Sequence, residues 1–246
     1  MDGQSMSISV GDLAGDKHNL NLDYRSHLDN VDETRSKFNV CLCDTPLPDF
    51  YRCEFGDALE KYNAKQVEKG HPERQIKDYL KKIQESKQEN EAYEVVIQVG
   101  NQWTMPASDG DCRSVSQAIL TDFYDEWPDR YPNLKIASAV IHMDEATPHL
   151  HVVYVPVSHG NKRGLDTKNS LRGALKACGF GTDLRELNQD MFECLESVSQ
   201  AHGIERLDMG MAGVKRLSVR DFKAHVNEPD YPYKNDPDLM ALLDEQ

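Results

Sequence analysis

Three histidines fall within ten residues of this chain, in the stretch His142-Met-Asp-Glu-Ala-Thr-Pro-His149-Leu-His151. His149 and His151 are two apart, so on a strand both imidazoles point to one face. An apolar run from Ala137 to Ile141 leads into His142, and another from Val152 to Val157 leads away from His151. Pairing of the two runs through a turn at Glu145 to Pro148 would bring the three rings to one point. Three nitrogen ligands with no thiolate leave coordination positions open, which is the pattern of a catalytic metal site and not of a closed structural one. A cation held there polarises a phosphate or carbonyl oxygen. Nitrogen donors suit several first-row metals, Mn2+ and Zn2+ among them. Asp144 and Glu145 flank the site: one is expected to accept an imidazole N–H, the other to act as general base. Pro148 keeps Thr147 extended and so feeds the chain straight into the His149 strand.

The elements that must position these residues can be read in order. Residues 6–10 alternate and predict a short first strand, broken at Gly11 to Gly15. Phe38 to Cys43 predicts a second strand, and Thr45 to Asp49, with two prolines, a loop. Asp57 is expected to cap a helix that Gly70-His-Pro stops. A second, highly charged helix is expected from Pro72 to about Glu89, with Ile76, Tyr79, Leu80 and Ile83 as its buried stripe. Tyr93 to Val99 predicts a strand ended by Gly100. Ser114 to Trp127 predicts a helix with Ile119, Leu120, Phe123 and Trp127 on one face, stopped by Pro128. The two histidine-bearing strands are placed at 136–142 and 149–157, followed by a loop at 160–167. Leu171 to Cys178 predicts a short helix. Thr182 to His202 predicts a long one, with Leu184, Leu187, Met191, Leu195 and Val198 at helical spacing and Gly203 beyond its end. A last helix is expected over 219–225. The short link between the histidine strands permits antiparallel pairing only. The expected fold class is therefore α+β: a central antiparallel sheet of about five strands with helices packed on it.

The chain has 246 residues, 39% hydrophobic and 28% charged, with no apolar run of membrane-spanning length. Its N-terminus is polar and acidic, unlike a secretory signal. The six cysteines form no CxxC pair, so they are read as reduced and the compartment as cytoplasmic. Net charge is −14, which argues against a nucleic-acid partner. Basic residues nevertheless gather locally: Lys17, Arg25, Arg35 and Lys37 early, Lys162 to Lys176 after the histidines, and Lys215 to Lys223 late. A groove lined by these can bind a polyanion on an otherwise acidic protein.

The ten-residue motif, followed by Pro156 at a strand end, resembles the metal motif of plasmid mobilisation relaxases of the Mob/Pre (MobV) class. These are HUH endonucleases, named for two histidines separated by a bulky apolar residue, here Leu150. Other segments agree. Lys17-His18-Asn19 is similar to the family's first motif, and Arg35-Ser36 with Asn39 to its second. Arg74 to Tyr79 and Ser218 to Lys223 resemble weaker helical signatures. One departure is Asn21, which stands where the first motif usually carries arginine. The resemblance spans about residues 7–225. It implies a relaxase catalytic domain over 1–226 and an acidic C-terminal tail over 227–246.

The activity it implies is DNA relaxase chemistry at a plasmid origin of transfer. The enzyme binds the origin hairpin and its single-stranded flank, nicks one strand and keeps the 5′ phosphate covalently, for conjugative mobilisation or plasmid recombination. The implied metal ligands are His142, His149 and His151, holding Mn2+ or Mg2+, with Zn2+ also compatible. The implied nucleophile is His18, with Tyr24 as runner-up and Glu145 as the base. DNA contacts are assigned to Lys17, Asn19, Arg25, Arg35, Ser36, Lys162 and Arg163. The partner is plasmid DNA, and self-association is a family trait. Three other readings compete: a rolling-circle replication initiator with the same HUH chemistry, a non-cleaving DNA-binding autoregulator, and a small-molecule metallohydrolase.

Overall fold

A computed structural model describes residues 4–12, 30–182 and 184–206. Six strands form one antiparallel sheet: β1 (Met6–Asp12), β2 (Val40–Asp44), β3 (Tyr93–Val99), β4 (Leu134–His142), β5 (His149–Ser158) and the two-residue β6 (Lys168–Asn169). The order is β1-β3-β5-β4-β2, with β6 added to β5. The expected α+β class and antiparallel pairing are both present. Five helices accompany the sheet: α1 (Leu47–Glu68), α2 (Tyr79–Gln84), α3 (Gly110–Arg130), α4 (Leu171–Ala177) and α5 (Leu184–Ala201). Among the described residues no helix is long and apolar enough to cross a membrane. The last expected helix, 219–225, and the tail after 226 lie outside the described residues.

β5 is the hub. All ten of its residues are buried, as expected of a strand covered on both faces. On one face Leu150, Val152 and Tyr154 join Val95, Ile97 and Val99 of β3 and Ala139 and Ile141 of β4 in the main core. α3 brings Ile119, Leu120, Phe123 and Trp127 to this core, and α5 brings Leu187, Met191 and Leu195. Both stripes follow the helical spacing expected. On the other face Val153, Val155 and Val157 meet Leu47, Phe50, Tyr51 and Phe55 of α1 and Tyr79 and Ile83 of α2 in a second core. Asn169, 2% exposed, clasps this layer. Its amide nitrogen donates to the Tyr51 hydroxyl (2.6 Å) and the Asn90 carbonyl (2.9 Å), and its backbone N–H donates to the Tyr79 hydroxyl (3.1 Å).

Several boundaries differ from expectation for identifiable reasons. β1 runs through Gly11 to Asp12, because its ladder to β3 extends to Asp12 opposite Tyr93. A 3-10 helix (Glu33–Phe38) takes the start of the expected second strand. α1 begins at Leu47, ten residues before Asp57, and the prolines that suggested a loop sit at its N-terminus. There the missing N–H costs no helical bond. The expected helix from Pro72 is only a 3-10 turn (Pro72–Arg74) followed by α2. The Asn63 side chain takes both the N–H and the carbonyl of Ile76 (2.8 Å each), and Asp78 caps a fresh helix on Lys81 N (3.0 Å). α3 starts earlier, capped by Asp109, and continues past Pro128 to Arg130. Trp127 holds that end by donating from Nε1 to the Leu134 carbonyl (2.7 Å). Gly100, which ends β3, has φ 74°, and a side chain there would collide with Met105.

Candidate metal centre

The ladder between β4 and β5 sets His142 directly opposite His149 and Val140 opposite His151. Cross-strand partners share a face, so His142, His149 and His151 converge as their spacing predicts. The ring centroids are 5.3 Å (His142 to His149), 4.8 Å (His142 to His151) and 5.0 Å (His149 to His151) apart. One nitrogen from each ring lies within 4.8 Å of the others. His142 is fully buried, and His149 and His151 are each 7% exposed.

The protonation pattern of two rings follows from their partners. Nδ1 of His149 lies 2.8 Å from the Thr147 carbonyl, which can only accept. The proton therefore sits on Nδ1 and the lone pair on Nε2. Nδ1 of His151 lies 2.7 Å from Oε1 of Glu94, which fixes the same tautomer. A carbonyl or carboxylate behind each imidazole is the usual arrangement around a bound cation, because it orients the ring and raises its basicity. The donor set thus fits a first-row divalent ion.

Glu94 was not singled out from the sequence. It lies on β3, opposite Val153 and two residues from Val96, the partner of His151. The available signal was period-2 patterning: Val95, Ile97 and Val99 take the core face, so Glu94 shares the other face with Val96. A carboxylate on an inner strand facing histidines needs a partner. The acid that backs His151 is therefore Glu94 of β3, outside the Asp144–Glu145 pair from which one such acid was expected.

Asp144 and Glu145 themselves have separate positions. Asp144, fully buried, accepts from Ser36 Oγ (2.8 Å) and Asn39 Nδ2 (2.6 Å). Glu145 faces the rings, with Oε1 3.6 Å from His142 Nδ1 and 3.8 Å from His149 Nε2. Its other oxygen accepts from Asn30 Nδ2 (2.8 Å). These three groups, His142, Asp144 and Glu145, also lie close enough to share an ion.

The turn that joins the strands is fastened at every carbonyl from Met143 to Thr147. Arg35 donates from Nε to Met143 O (3.3 Å) and from Nη2 to Glu145 O (3.1 Å). Asp32 N donates to Asp144 O (2.7 Å), and Ala107 N to Ala146 O (3.0 Å). Thr147 O takes the His149 proton. Asn39 also accepts the Met143 N–H (2.7 Å). Asp32 in turn grips Arg35 Nη1 at 2.7 Å. The Thr34 hydroxyl and amide, with Arg35, hold the Asp32 carboxyl below the usual carboxylate range. Residues 30–39 are thus a brace for the metal turn, and the side chains of Arg35 and Ser36 are directed into it.

The other residues singled out by sequence fall into two groups. Lys17, His18, Asn19, Tyr24 and Arg25 lie outside the described residues. Lys162 and Arg163 are exposed in the loop after Ser158, at the far end of β5. Along a ten-residue strand that is about 30 Å from His149.

The fold is similar to solved structures of the MobM relaxase domain (MOBV; Mob_Pre) bound to plasmid pMV158 oriT DNA. One Mn-bound structure has a TM-score of 0.51 at 19% identity, covering 89% of this chain and 98% of that one. A second Mn-bound structure has a TM-score of 0.50 at 22% identity, covering 89% of this chain and 99% of that one. No curated protein matches the sequence. The family model for plasmid recombination enzymes, Mob_Pre, matches residues 24–178. That match covers more than half of the chain, which therefore belongs to the plasmid recombination enzyme family.

Proposed function

We propose that the protein is a metal-dependent DNA relaxase that nicks one strand at a plasmid origin of transfer and holds the 5′ phosphate covalently. The observation that carries this reading is the buried His142–His149–His151 triad on adjoining strands, in a chain of the plasmid recombination enzyme family. In this reading residues 1–226 form the catalytic domain and 227–246 an acidic tail, and the enzyme works in the cytoplasm on plasmid DNA.

His142, His149 and His151 would hold the cation, Mn2+ or Mg2+. Three nitrogens favour Mn2+ of the two, since Mg2+ prefers oxygen donors. When bound, the cation supplies charge stabilisation at the scissile phosphate. The remaining chemistry is assigned to side chains. An imidazole nitrogen of His18 attacks phosphorus, a P–N bond forms and the P–O3′ bond breaks. Glu145 takes the proton released from His18, and that proton is returned to the departing 3′ oxygen, which leaves as a hydroxyl. Tyr24 is the second candidate nucleophile. Glu145 suits the base role because it faces His142 and His149 while Asn30 fixes its other oxygen. Lys17, Asn19, Arg25, Arg35, Ser36, Lys162 and Arg163 are proposed to support DNA binding. Arg35 and Ser36 serve it by fixing the metal turn, and Lys162 and Arg163 serve it at a distance from the histidines.

The test is incubation with single-stranded oligonucleotides of random sequence and Mn2+, followed by a denaturing gel. A covalent protein–DNA adduct is expected, and its P–N bond should be lost in acid. His18→Ala should abolish it. An adduct that survives His18→Ala but not Tyr24→Phe would move the nucleophile to Tyr24. No adduct with any divalent metal would leave a DNA-binding autoregulator as the better reading.

A further inference from the structure

Among the described residues three large apolar side chains are exposed: Phe38 (41%), Val67 (51%) and Trp103 (46%). Phe38 and Trp103 both lie at the metal end of the sheet. Phe38 precedes Asn39, whose side chain holds Asp144 and Met143. Trp103 sits in the turn after β3, whose Gln98 pairs with His149. A single exposed aromatic is ordinary by itself, so what surrounds each ring decides.

Phe38 differs from Trp103 in carrying cations. The Arg113 guanidinium lies over its ring, 4.5 Å from the centroid, and the Lys37 ammonium is 5.1 Å away. Arg113 is held in place, because Nη1 donates to the Ala107 carbonyl. Ala107 in turn donates its N–H to Ala146 in the metal turn. Asp109 accepts from the Asp111 and Cys112 amides (2.8 and 2.9 Å) and so stays ionised near Arg113. Two cations nevertheless converge on one exposed ring, on a chain of net charge −14.

We infer that Phe38, with Arg113 and Lys37, is a stacking platform for one nucleobase of the single strand that enters the metal site. The inference rests on the relaxase reading and assigns it a base-binding subsite. A planar guanidinium lying over the ring starts a stack that a base can extend, and the two cations attract the flanking phosphates. Such a platform binds without reading sequence. It would hold the path of the strand past the histidines, whatever the base stacked there.

The experiment is equilibrium binding in EDTA, so that no strand is cut, with labelled oligo(dT) and an abasic deoxyribose-phosphate strand of equal length. Phe38→Leu should weaken oligo(dT) binding about tenfold and leave abasic binding and the melting temperature unchanged. Phe38→Trp should retain oligo(dT) binding, and Arg113→Lys, which keeps charge but loses the plane, should fall between. Unchanged oligo(dT) binding by Phe38→Leu, or equal weakening on both strands, would overturn the platform while leaving the relaxase reading standing. A wild-type protein that binds neither strand would overturn both.

Discussion

One face of β5 carries two histidines and then three valines, and the two halves have opposite purposes. Val153, Val155 and Val157 are sealed under α1 and α2, where apolar packing contributes to folding. His149 and His151, on the same face, are nearly as buried, yet their polar atoms are backed by Thr147 and Glu94. Burial costs the histidine half stability unless each ring nitrogen has a partner. The lesson is that a strand can be uniformly buried and still be half core and half site. Which half is which shows in the identity of the neighbours, not in exposure.

That contrast can be broken at either end. Val155→Asp places an unpaired charge in the valine half, and loss of several kcal/mol is expected. Thermal melting should show an unfolded or severely destabilised chain. His151→Ala, four residues earlier on the same face, removes one partner of Glu94, so a loss of about 1–3 kcal/mol is expected, smaller than that of Val155→Asp, while adduct formation is abolished. If the two substitutions destabilise equally, the histidine half is core and not site.

The brace can be probed next. Asn39→Ala leaves the Asp144 carboxylate and the Met143 N–H each short of a partner. A loss of about 1–3 kcal/mol in denaturant unfolding is expected, with weaker metal binding because the turn loosens. Glu94→Gln is a finer cut. The amide keeps the shape but removes the charge that fixes the His151 tautomer, so metal affinity should fall roughly 10–100-fold with little change in metal-free stability. Titration calorimetry of the variant against wild type measures this.

Much of the site was legible because its signal is local. The period of two, the short link and Pro148 were enough to place three histidines on one face of two antiparallel strands. What escaped lies far away in sequence. Glu94 is 57 residues from His151, and Asn39 is 105 from Asp144. No periodicity connects such pairs until the sheet order brings β3 beside β5 and β2 beside β4. The helices misread near Leu47 and Pro72 share another cause. Prolines and side-chain clamps act on the backbone differently at a helix start than inside one. The amphipathic stripe of α5, by contrast, needed no tertiary knowledge.

The valine half offers the smallest test. Burial pushes the Tyr79 hydroxyl up to about 12, above its ordinary value of about 10. As pH rises, the unfolded chain loses this proton first. The stabilisation is therefore complete below about pH 10 and declines as pH climbs through about 12. Tyr79→Phe should flatten that alkaline decline in a melting series without altering metal binding.

The central claim is that the histidine half exists to hold a divalent cation. Manganese titration followed by electron paramagnetic resonance measures it most directly, on wild type and on His149→Ala and His151→Ala. The expected result is one tightly bound Mn2+ per wild-type chain and loss of that site in both variants, with each variant still folded. Mn2+ bound with the same stoichiometry and affinity in folded His149→Ala and His151→Ala would contradict it.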